Sequence, residues 1–138
     1  MNVDSEPVLL HLCARVEWEQ SRRAGSHEPP SLAEVGFIHL SGPAQVHLPA
    51  NRLYAGRDDL VLLVIDPDRL SAPVVWEPGV PSDPEGMRFP HLYGALPVDA
   101  VIEVHPYKAN ADGAFAPPAF VTKISGSDPD PSSRDQSR

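Results

Sequence analysis

Between Asp59 and Asp66 the chain reads LVLLVI, six apolar residues with no polar interruption. A half-exposed strand alternates apolar with polar residues, and a surface helix breaks its apolar positions every third or fourth residue. An unbroken run of this length, bounded by aspartates and closed by Pro67, reads as a strand buried on both faces. It therefore calls for packed structure on each side.

The rest of the chain divides into short pieces, because seventeen prolines fall between its apolar runs. EPVLLHLC reads as a first strand, with Val8, Leu10 and Leu12 on one face and Leu9, His11 and Cys13 on the other. ARVEWEQSRRAG follows as a short helix; Arg22 and Arg23 suit its C-terminal dipole and Gly25 its end. After a loop, SHEPPS, Ser31 is placed to cap a one-turn segment. GFIHLS reads as a strand with Phe37, His39 and Ser41 on one face, and an interrupted helical segment runs on to Gly56. APVVWEP, HLYGAL and AVIEVHPY supply further strands, the last with Ala100, Ile102 and Val104 as its core stripe. Strict strand–helix alternation is missing, so the expected class is α+β with a mostly antiparallel sheet and short helices. One domain is expected over residues 7–125. The stretch 126–138 has no apolar anchor and is expected to be a disordered tail.

Composition narrows the function classes. At 138 residues the chain buries roughly 65–70% of its unfolded surface without staples. Its net charge of −8 argues against an extensive nucleic-acid surface or an anionic-membrane surface. A small cationic pocket remains compatible with it. With Cys13 as the single cysteine, no internal disulfide forms, and a reducing, cytoplasmic compartment is the natural expectation. The N-terminus does not read as a signal peptide, and no apolar run approaches the roughly 20 residues of a membrane span.

The chemistry-bearing candidates are histidines. His11 and His39 each point from a strand to the face opposite its aliphatic neighbours, as cleft-lining side chains do. Each also reads as a half-buried histidine satisfied by a backbone carbonyl. His91, in RFPHLYG, is either a turn-packing residue or a third member of the site. Glu77 ends a strand beside Trp76, a setting expected to raise its pKa and suit it to acid–base work. His11, His39, His91 and Glu77 are also the conceivable metal ligands, but no pair has a local ligand spacing, and no metal is expected. A metal-dependent hydrolase is accordingly the least favoured reading. Cys13 lies on the strand face of His11 and is read as core.

GFIHLS, ANRLYAGRDDLVLLVIDPDRL, WEPG and FPHLYGALPVDAVIEV together resemble the small bacterial proteins of domain-of-unknown-function family 952, over about residues 7 to 108. That resemblance implies an ADP-ribosyltransferase-like fold, a split sheet with short helices. More distantly, the order of FIHLS, LVLLVIDPDRL and HLYGALPVDAV is similar to tRNA 2′-phosphotransferases, which use NAD. The likeness implies an NAD-dependent ADP-ribosyl or glycosyl transferase. His11 would hold a ribose hydroxyl, and Leu12 stands where those transferases carry a glycine against nicotinamide. Ser41 would line the cofactor site and Tyr54 or Tyr93 would stack on nicotinamide. His39, Glu77 and His91 would serve catalysis, and Arg15, Arg52 and Arg57 are the candidates for a phosphate. A non-catalytic module binding a nucleotide or other small ligand is the alternative.

Overall fold

The structure is a computed structural model and describes residues 8–118. The expectation for the tail 126–138 lies outside the described residues. Among the described residues eight strands, β1 (Leu9–Ala14), β2 (Ser26–His27), β3 (Ile38–His39), β4 (Leu60–Ile65), β5 (Val74–Pro78), β6 (Arg88–Leu92), β7 (Leu96–Pro97) and β8 (Val101–Tyr107), are joined with three α-helices, α1 (Arg15–Ala24), α2 (Pro30–Val35) and α3 (His47–Leu53). The strands form sheets of order β1-β4-β8, β3-β6-β5 and β2-β7, and every pairing is antiparallel. The architecture is α+β, with antiparallel sheets and few, short helices.

The LVLLVI run is β4, the centre of its sheet, and all six of its residues are buried. Alternation sends Val61, Leu63 and Ile65 to one core and Leu60, Leu62 and Val64 to another. Neighbouring β1 divides in the same way: Leu9 and Cys13 join the first core, Leu10 the second. Trp18 of α1 covers the first core, and Val46 and Ala50 at α3 cover the second. α1 forms where the capping chemistry favours it. Glu17 Oε1 accepts from the Ala14 amide at 3.1 Å, and Gly25, at φ 90°, ends the helix in a conformation that costs glycine little. That left-handed turn reverses the chain into β2.

Two local expectations change. Ile102 and Val104 are 48% and 38% exposed, so they are not a core stripe. Ala100 belongs to a 3-10 turn, Val98–Ala100, and strand alternation begins only after it, which puts Val101 rather than Ile102 against the core. Ser31 lies inside α2 and donates to the Phe37 carbonyl at 2.9 Å instead of capping.

The two larger sheets touch at one bridge. Leu10 and Ser41 exchange both backbone hydrogen bonds at 2.8 Å. The next pair in that register would be Leu12 with His39, but the strands diverge there. The His39 carbonyl takes its bond from the His11 ring instead, Nδ1 to oxygen at 2.8 Å. A sheet that splits at this point leaves a wedge between β1 and β3, and the wedge is the site.

Candidate functional site at the split of the sheets

The wedge opens into a cavity of about 600 Å³, inside the range of small-molecule sites. Its walls include His11, Leu12 and Ser41 from the bridge region, His39 and His91 from β3 and β6, and Tyr54 at the end of α3. β3 and β6 pair His39 with His91 directly, and their rings meet edge to face with centroids 5.4 Å apart. Phe37 lies parallel to His91 at 4.0 Å.

His91 is buried, and its Nδ1 lies 2.6 Å from Glu77 Oε1. The same oxygen accepts from the Tyr93 hydroxyl at 2.7 Å. Those two bonds, Tyr93 first and His91 second, hold the Glu77 carboxyl below the usual carboxylate range. The expectation of a raised pKa is overturned, because donors outweigh desolvation at a strand end that is a third open to water. Neither Glu77 nor Tyr93 lines the cavity, so both reach it through His91. Glu77 thus holds His91 without itself facing the cavity, and Tyr93 is not placed to stack in the cavity.

His11 is turned differently from the expectation. Its ring borders the cavity, but Nδ1 is spent on the His39 carbonyl and Nε2 is buried with no hydrogen-bond partner. Neither nitrogen is open to hold a ribose hydroxyl, because the splayed backbone has claimed the ring as a brace. Burial, then the neighbouring His27, lowers its pKa to about 3, so the ring is neutral. His39 is exposed at the cavity edge; enclosure by the walls, then His91 and Arg52, push its pKa down. Of the candidate arginines only Arg52 lines the cavity, where it pairs with Asp83 at 3.1 Å. Arg57 is engaged by both carboxylate oxygens of Asp59 at 2.7 Å and lies over the Tyr54 ring.

The sequence profile of the protein family of unknown function DUF952 matches residues 12–104. The chain belongs to that family. The crystal structure of protein CC0527 from Caulobacter crescentus is similar to this DUF952 chain at 30% identity, with a TM-score of 0.67, over 78% of this chain and 92% of that one. The solution structure of the same protein is similar at 31% identity and a TM-score of 0.64, over 78% and 90%. No curated protein matches the chain.

The DUF952 match begins at Leu12, within β1, and ends at Val104, within β8, so it takes in β3, β4 and β6 but not Leu10 or His11 at the split. Among the described residues no helix is long and apolar enough to cross a membrane. The conceivable metal set of His11, His39, His91 and Glu77 is not what the structure gathers. The one such group among the described residues is His11, Cys13 and His27. His27 escaped sequence reading because it lies in a two-residue strand, hidden in what reads as a loop between Gly25 and Pro29. Phe37, on the same strand face as His39, carried a readable signal in its alternation.

Proposed function

We propose that the DUF952 cavity binds NAD, ADP-ribose or a related nucleotide, within an ADP-ribosyltransferase-like arrangement of the split sheet, and that it transfers the ADP-ribosyl group. The observation that carries this reading is the pairing of His39 and His91 across the cavity wall, with Arg52 and Tyr54 on the same cavity. Arg52 supplies the cation that a pyrophosphate requires, on a surface that is otherwise acidic. Tyr54 supplies a flat face for a heterocycle. His39 is the accessible ring for ribose hydroxyls, in place of His11.

The chemistry follows from those placements. The nicotinamide–ribose bond breaks with its electron pair leaving on nicotinamide, and a cation-like sugar forms. An acceptor oxygen attacks the sugar carbon and its proton passes to His91. With Nδ1–H donated to Glu77, the basic atom of His91 is Nε2. Glu77, ionised and fixed by Tyr93, stabilises the resulting imidazolium.

One observation favours binding without turnover. Leu12 lines the cavity, and the transferases that this chain resembles carry a glycine after the corresponding histidine. Calorimetric titration with NAD and ADP-ribose tests binding, and chromatographic measurement of released nicotinamide separates transferase from binding module. Arg52→Ala is expected to weaken either nucleotide roughly 10- to 100-fold, the range of a hydrogen bond to a charged group. His39→Ala is expected to cost up to about tenfold. Wild-type protein that binds neither nucleotide at millimolar concentration would remove the nucleotide reading altogether.

A further inference from the structure

Behind the cavity wall, three side chains converge that the nucleotide reading does not use. His11 and Cys13 stand two residues apart on β1 and so share a face. α1 and the turn at Gly25 bring His27 back against them, and β2 holds it there by pairing His27 with Leu96 of β7. The rings of His11 and His27 meet with centroids 5.0 Å apart at 61°. One ligand atom from each of His11, Cys13 and His27 lies within 4.8 Å of the other two, and all three residues are buried.

The hydrogen bonds fix which nitrogens are available. A carbonyl only accepts, so His11 Nδ1 must carry a proton toward the His39 oxygen, and Nε2 is left as a bare lone pair. On the other side, the Ser21 hydroxyl donates to the Glu17 carbonyl at 3.0 Å, and His27 Nδ1 lies 2.6 Å from Ser21 Oγ. The chain His27 Nδ1–H to Ser21 Oγ–H to the Glu17 carbonyl gives every proton an acceptor. It leaves His27 Nε2 bare as well. Both Nε2 atoms are buried without a partner, and burying unpaired polar atoms together costs stability. Two inward lone pairs beside a thiol, each imidazole backed through Nδ1–H by an oxygen, is the arrangement that orients histidine ligands toward a metal ion.

We infer that His11 Nε2, His27 Nε2 and Cys13 Sγ form a binding site for a thiolate-accepting transition ion of the Zn²⁺ class. Nitrogen and sulfur donors select such ions over Mg²⁺ or Ca²⁺. Bond lengths of about 2.0–2.3 Å put tetrahedral ligands roughly 3.5 Å apart, so no pair has to close in by more than about 1.3 Å. The Cys13 proton is released as the ion binds. A fourth position is left to water.

The test is metal titration of the chelator-treated full chain in the absence of any nucleotide, so that its outcome is independent of the nucleotide reading. Co²⁺ is the spectroscopic probe and Zn²⁺ displaces it. One equivalent of Co²⁺ is expected, with a thiolate-to-cobalt charge-transfer band. Cys13→Ala, verified as folded by its melting curve, loses the band, and His27→Gln lowers affinity strongly. Ser21→Ala, a substitution that suits a helix, removes only the oxygen behind His27 and is expected to cost about 10- to 100-fold in affinity. His105→Gln keeps the site. Absence of stoichiometric binding, a spectrum without the thiolate band, or binding that follows His105 instead of His27 would each overturn the assignment.

Discussion

Glu77 shows how a single residue's role is set by its neighbours. Read in sequence, a glutamate after a tryptophan at a strand end suggests desolvation and a raised pKa. Folded, it accepts from the Tyr93 hydroxyl and from His91 on one oxygen, and its pKa moves down. Tyr93 responds in the opposite direction, since its proton is held by the carboxylate. Tyr93→Phe should therefore raise the Glu77 pKa, read by carboxyl carbon NMR across the acid range, and leave the fold unchanged. A Glu77 titration midpoint identical in wild type and variant would show that the hydroxyl contributes nothing. Of the candidate residues, His39, His91, Ser41, Leu12 and Tyr54 line the cavity; strand alternation suggested this for His39, whereas Leu12, Ser41 and Tyr54 were candidates through the family resemblance alone. Glu77, Tyr93 and the two nitrogens of His11 do not. Strand alternation predicts which face a side chain takes; it does not predict which atom a neighbouring carbonyl will claim.

At the scale of elements, the tight points are where one strand gives way to the next. A Cβ built on Gly94, between β6 and β7, would lie 2.6 Å from the Ala72 Cβ, closer than real side chains stand. Gly94→Ala is expected to destabilise by about 1–3 kcal/mol through overpacking. Adding Ala72→Gly should recover part of that loss, and chemical denaturation of the single and double variants measures both. Equal stability of Gly94→Ala and wild type would mean that the β5 approach yields freely. In β4 the opposite defect is costly. Leu62→Ala empties a site that is fully buried, for an expected loss of about 2–5 kcal/mol. Because β4 is central and covered on both faces, its amides should exchange with solvent only through global unfolding. The two-residue β3 beside the split should open locally and exchange faster. Hydrogen exchange that finds β3 as protected as β4 would show that the split is closed in solution.

For the whole molecule, the second core contributes to the loss of stability at alkaline pH. Tyr107 is 5% exposed and donates its hydroxyl to the Ala116 carbonyl. Burial raises its pKa from 10.0 to about 12. Between those values the unfolded chain has lost a proton that the folded chain keeps. The contribution is therefore whole below about pH 10 and is lost as pH rises toward 12, amounting to about 2–3 kcal/mol. Tyr107→Phe should flatten that part of the alkaline slope in denaturation measured from pH 9 to about 12; an unchanged slope would mean that Tyr107 ionises freely in the fold. The run Leu60–Ile65 and the alternation of β1 by themselves determined a central strand, two cores and the face on which each β1 residue lies, because burial and the two-residue period of a strand are local properties. Tertiary structure alone decided that β1 and β3 part after Leu10 and Ser41, that His11 braces the opening, and that His27 returns beside His11 and Cys13. Those outcomes depend on where strands distant in sequence diverge and on which donor reaches a stranded carbonyl first, and neither is written in the spacing of residues along a single element.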